Sequence, residues 1–245
     1  MIRRRKKKQQ DTSNHGNRAI TTVLATTALT LASGTSLATQ YAVQPTLGSI
    51  AADFDVSAFV TGQIITAVMA GYLIVLVLLV PLADRFSSGR LVPIQPTGLA
   101  IVPAAAASAP TAGVLIGVFG LVGVASTVAA EAVSVVGRFI PLEVRGNRVG
   151  IVHAGNSAGI LLSRFVGGAL TSLLGWRGML ACFATLLVAT GMLCAIVLPR
   201  HQEQTGNKGS YFATLRALPR LLRISPALRL ASATGMLWVS AFNLV

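Results

Sequence analysis

The chain is poor in acid. Its 245 residues include seven Asp and Glu, three His and two Cys, and only 11% of the total is charged. An average soluble domain carries about 25% charge. So few carboxylates and imidazoles leave no visible acid pair for proton transfer and no cluster with metal-ligand spacing. Cys182 and Cys194 lie in one predicted helix, about 18 Å apart along its axis, too far to bridge each other. They read as small core hydrophobes and say nothing about compartment. There is no Gly-x-x-x-x-Gly-Lys loop, which removes ATP as an engine. No basic face is interleaved with stacking aromatics, so the net charge of +13 does not point to nucleic acid. The sequence therefore reads as a non-enzyme with no cofactor and no metal.

Charge is also missing over long distances. Uncharged stretches run over 19–52, 56–83 and 91–130, whereas a bilayer crossing needs about 20 apolar residues. Runs such as 74–82 and 180–198 lack the polar face that a helix on a soluble core must turn to water. With 53% hydrophobic residues and a mean hydropathy of +0.70, lipid is the expected solvent. The fold class predicted is all-α, a polytopic membrane helix bundle. Its spans are expected at 19–43, 58–82, 91–108, 111–137, 149–172 and 176–198. Around them lie a basic tail (1–18), a polar linker (199–229) and a partial seventh helix (230–245) that is too short to cross and reads as truncated.

Lys and Arg set the orientation. The tail and the 83–90, 138–148 and 199–229 connections carry eighteen, against one, Arg177, on the opposite side. That bias predicts a multi-pass protein of the cell membrane with a cytoplasmic N-terminus. Asp53 and Asp55 in the 44–57 connection then face outward. The tail is either a topology signal or an attraction to anionic headgroups, and the linker, with Arg216, Arg220 and Arg223 among leucines, reads as lying against the membrane surface.

The turn after the second span reads Leu82, Ala83, Asp84, Arg85, Phe86, Ser87, Ser88, Gly89, Arg90. It resembles the Gly-x-Leu-Ala-Asp-Arg-x-Gly-Arg-Arg loop of the major facilitator superfamily, in the same place between spans two and three. Val80 stands where that loop has its first Gly, and Ser87 and Ser88 interrupt its end. Gln40–Pro45, with Tyr41 and Gln44, is similar to the Tyr-Tyr-x-Gln-Pro segment of the family's bacterial efflux branches, and Glu143–Gly150 to their entry to span five. The resemblance covers nearly the whole chain and implies the N-terminal half of a secondary carrier. It implies that Asp84, Arg85 and Arg90 form an inner gate whose partner lies in a missing C-terminal half; the other reading of Asp84 and Arg85 is an exposed turn with a topology charge.

Gly155, Gly159, Ser163 and Gly167 recur at four-residue spacing, followed by Gly168. Such a stripe lets another helix pack closely. It is similar to the family's antiporter signature, with Ser163 and Arg164 in place of Gly-Pro. Two ionisable residues fall inside spans, Glu131 and Arg164, each costing very roughly 3 kcal/mol near a helix centre. Three readings stay open for them: a structural ion pair, proton or substrate coupling, or separate water-facing sites. The first span carries Thr22, Thr26, Thr30, Ser33, Gln40 and Gln44 at helical intervals. That stripe is either packing through hydroxyls or a transport path, in which case Gln40, Tyr41 and Gln44 are the residues expected to touch solute. The function expected is a secondary active transporter of a small solute, by efflux and with protons as the coupling ion. The alternatives are a non-transporting membrane fragment or interaction module, and a half-size carrier acting as a homodimer.

Overall fold

The computed structural model describes residues 23–83, 88–125 and 142–198, with further positions at 128, 132–133, 136 and between 224 and 237; side chains are described except at 76–94 and 124–125. The described residues are helices and short turns, with no strand among them. Helix α1 (23–41) is rich in Thr and Ser, yet its hydroxyls turn back on their own backbone. Thr27 donates to the Val23 carbonyl at 3.0 Å, Thr30 to Thr26 at 2.8 Å and Thr39 to Thr35 at 2.9 Å. Such bonds satisfy the hydroxyls locally, on the exposed face at Thr27 and in the interior at Thr39.

A 3-10 turn at Gln44–Thr46 begins around Pro45 and leads into α2 (Leu47–Phe54). By sequence alone 44–57 is a plain connection. It folds locally because Ile50, fully buried, plugs into the core between helices. Asp55 ends α2 in the left-handed region, at φ 50° and ψ 48°, a conformation that Asp tolerates better than most residues. Helix α3 (Ala58–Ala83) and α4 (Ser88–Ala107) follow, then α5 (Ala112–Ala125). The start of α5 is capped by Thr111, whose hydroxyl accepts from the Val114 amide at 3.3 Å.

The last described helical stretch, Leu142–Val197, is broken at Gly175 (φ 72°, ψ 168°) into α6 (142–174) and α7 (176–197). Only glycine adopts that backbone without strain. Helix α6 begins earlier than expected, taking residues 142–148 out of the predicted 138–148 connection. Glu143 sits in its first turn, where a carboxylate favours the helix dipole. Nearly all of 1–18, 199–229 and 230–245 lies outside the described residues.

Glycine contacts fix how the helices run. A side chain on Gly155 would overlap Thr30, one on Gly159 would overlap the Gly34 carbonyl, and one on Gly167 would come 2.6 Å from the Ala42 carbonyl. Each pair is offset by the same number of residues, so α1 and α6 are parallel. Likewise Gly120 approaches Ala67, and Gly123 lies against Val68 and Tyr72, which makes α3 and α5 parallel. Helix α7 runs back the other way: its Trp176 lies near Asp53, whereas the Cys194 thiol donates to the Ala28 carbonyl at 3.4 Å.

Two apolar clusters stack along the bundle. One joins Ile50, Ile64, Leu99, Phe119, Met179 and Leu187; the other joins Ala28, Ala32, Val128, Ala132, Val152 and Cys194. Meanwhile Phe165 is 78% exposed and Ile196 81%, while Ser33 and Ser36 are fully buried. Large apolar groups outside and small hydroxyl residues inside reverse the soluble pattern and suit a bundle whose solvent is lipid. Among the described residues, Ala58–Val75 and Leu142–Val197 are long and apolar enough to cross a membrane, and Ala112–Gly123 is a shorter apolar helix.

Candidate functional site

The α1–α6 seam sets the register of the polar residues. Successive four-residue steps, Thr30 on Gly155, Gly34 on Gly159 and Ala42 on Gly167, bring Ser163 level with Ala38, and both line one groove. Arg164 is the next residue, about 100° further round α6. From α1, Tyr41 feels its charge, and Tyr72 on α3 is in turn coupled electrostatically to Tyr41. Gln40 and Tyr41 are buried, at 4% and 9% exposure, and Gln44 is half-buried at the head of the 3-10 turn.

Tyr72 escaped the sequence reading. The signal was there: it lies four residues after Val68 and eight after Ile64, on the buried side of α3. Asn156, one helical turn before Ile160, buries its side-chain oxygen without a hydrogen-bond partner among the described residues, as does the Ser36 hydroxyl. Gly168 makes only an ordinary approach to Pro45. Beside the seam lies an apolar groove of about 320 Å³, walled by Leu31 of α1, Leu162 and Val166 of α6, and Phe183 and Leu186 of α7.

The remaining expected site residues are not all in view. Asp84, Arg85 and Glu131 lie outside the described residues, and for Arg90 only the helical backbone is described. The three sequence readings of Glu131 and Arg164 therefore all stay open. His153 is exposed on α6. Among the described residues no group of three His, Cys, Asp or Glu could hold a metal.

A second polar cluster sits at the end of the bundle formed by the 44–57, 108–111 and 175 connections. Asp53 Oδ2 accepts from Trp176 Nε1 at 3.1 Å and from Arg177 Nη1, while Arg177 Nη2 donates to the Ala109 carbonyl at 3.3 Å. The Arg177 guanidinium lies 4.2 Å from the Trp176 ring centre and 5.5 Å from that of Phe54. Those two rings meet at 5.7 Å, tilted by 49°. Arg177 holds the Asp53 carboxyl below the usual carboxylate range, chiefly through its hydrogen bond. In the sequence Asp53 and Arg177 are separate outward charges; the fold brings them together.

Comparison with known proteins bears on what such a bundle does. The chain is 34% identical over 179 residues to the protein named "Uncharacterized transporter YgaY" of Escherichia coli O157:H7, an alignment covering 72% of this chain and 45% of that protein, and the Escherichia coli K12 counterpart matches to the same extent. It is 35% identical over 88 residues to "Probable transporter SCO4007" of Streptomyces coelicolor, covering 36% of this chain and 20% of that protein. The chain thus spans about half the length of the YgaY proteins it matches. The profile of the Major Facilitator Superfamily matches residues 29–245. That match takes in most of α1 and all of α2 to α7 with their glycine seams, and by it the chain belongs to the major facilitator superfamily of transporters.

Proposed function

We propose that this chain forms the six-span N-terminal half of a secondary carrier that exports a small solute from the cytoplasm by alternating access. The observation that supports it is the α1–α6 glycine seam, whose register sets buried Gln40 and Tyr41 of α1 level with the 163–167 stretch of α6 that carries Arg164. An Arg at such depth costs several kcal/mol in a lipid surround and is kept where a pathway or a partner uses it. In this reading Gln40, Tyr41 and Gln44 contact the solute, and Arg164 orients its polar part. Asp84, Arg85 and Arg90 close the inner gate through contacts between loop charges and a helix end of the second half. Energy comes from a proton gradient, with Glu131 as the group that changes protonation as the carrier turns over. The N-terminal tail and the 199–229 linker are cytoplasmic.

In this fold the solute site lies between two halves, so a companion half completes it, supplied by further residues of the same protein, by another chain or by a second copy. The coverage of about half of YgaY is what favours considering each. The test is accumulation of a panel of fluorescent solutes by inverted vesicles carrying the chain alone, or the chain joined to the remainder of a relative. Gradient-dependent accumulation that an uncoupler abolishes, and that Arg164→Ala removes, is the expected result. No gradient-driven movement in either form sinks the carrier reading and leaves a membrane interaction module. Movement by the chain alone identifies the homodimer.

A further inference from the structure

We infer that Arg177 is a clasp that fastens three separate connections at one end of the bundle, so that the α1–α3, α4–α5 and α6–α7 ends move as a single body. The fastening is specific to its geometry. One arm of the guanidinium fork binds Asp53 in the 44–57 connection and the other binds the Ala109 carbonyl between α4 and α5. The guanidinium lies over the Trp176 ring on its own connection and within cation–π distance of Phe54 across from it. Asp53 is held from a second direction by Trp176 Nε1. A planar fork that serves two acceptors while stacking on rings is what Arg provides and Lys does not.

The backbone makes this possible at one place. The positive φ of Gly175 breaks the helix between α6 and α7 and starts α7 with Trp176 buried against the core and Arg177 over the other connections. Arg177 is also the only Lys or Arg in residues 44–57, 108–111 and 172–178, so no neighbouring cation can replace it. Its side chain is 43% exposed and that of Asp53 42%, which makes each single contact weak in water. Because all of them share one guanidinium, however, its loss releases three segments at once. Nothing in this inference depends on transport.

Hydrogen exchange of the full chain in detergent tests it. In Arg177→Gln, amides in 44–57, 105–112 and 172–178 should all exchange about threefold or more faster, the size expected when charged surface contacts that restrain local opening are lost. Arg177→Lys keeps a cation for Asp53 but lacks the second arm, so its acceleration should concentrate at 105–112. Faster exchange confined to 172–178 in Arg177→Gln overturns the clasp. If Arg177→Gln fails to fold, the Lys variant decides: an unchanged 105–112, or equal effects in all three segments, overturns it as well.

Discussion

Asp53 carries a charge whose worth depends on pH. The Arg177 hydrogen bond holds its carboxyl below the ordinary value of 3.8, so the folded state keeps the carboxylate where the unfolded chain would begin to protonate. A depressed pKa contributes stability that is present above the unfolded value and is lost as pH falls through the folded one. The thermal midpoint of Asp53→Asn should therefore lie below that of the wild type at pH 7, and the two should converge when the pH drops below the folded value of Asp53. A gap that persists at the acid end would show that the carboxylate is not what matters. From their places in the sequence we also propose that Glu131 and Arg164 share one polar environment. Removing one strands the other's charge, at about 3–5 kcal/mol for a buried pair, whereas Glu131→Gln with Arg164→Gln leaves two neutral groups able to hydrogen-bond. The double variant should unfold at a higher temperature than either single one; effects that simply add make the residues independent.

Between helices, the glycines divide into two kinds that look alike in the sequence. Gly159 lies where a side chain would meet the Gly34 carbonyl, and Gly123 where one would meet the backbone at Val68 and Tyr72. Gly62 and Gly117 have nothing within 4 Å of where a side chain would begin. Gly159→Leu should push α1 from α6 and destabilise by about 3 kcal/mol or more, since overpacking against backbone cannot be relieved by a rotamer change. Gly117→Ala should be neutral or stabilising by about 0.5–1 kcal/mol, from helix propensity alone. Thermal unfolding of the two variants in one detergent checks the contrast. The four-residue repeat at Gly155, Gly159, Ser163 and Gly167 was legible because a stripe of small residues is a one-dimensional pattern. Which partner it meets was not, since any helix could have filled it until Thr30, Gly34 and Ala42 were placed opposite.

At the scale of the whole molecule, the parallel pairs α1 with α6 and α3 with α5 put alternate connections at opposite ends of the bundle. The start of α6, with Arg145 and Arg148, lies at the same end as the start of α1, while Asp53 and Arg177 lie at the other. Charge bias then predicts which end meets the cytoplasm. In a background with Cys182 and Cys194 replaced by Ala, a cysteine at exposed Ser49 should react with an impermeant label from outside intact cells. One at Lys208 should react only after permeabilisation. Labelling of both from the same side would refute the topology.

Composition and spacing by themselves determined that the chain is helical and built, between a basic tail and a polar linker, from successive apolar segments joined by short connections. These follow from local physics: a polar face is either present at helical spacing or absent, and a missing charge needs no partner to be read. The resemblance at Leu82–Arg85 and Gln40–Pro45 carried the family for the same reason, since a short loop is contiguous in the sequence. Tertiary structure alone decided what meets what. Gly155, Gly159 and Gly167 meet Thr30, Gly34 and Ala42, and Arg177 joins Asp53, Phe54 and Ala109, across separations of dozens of residues that no periodicity encodes. Gly175 sets the second of these meetings with one backbone angle. Contacts between side chains on different helices depend on the rotation and depth of each helix, and those are fixed only when the glycine seams close.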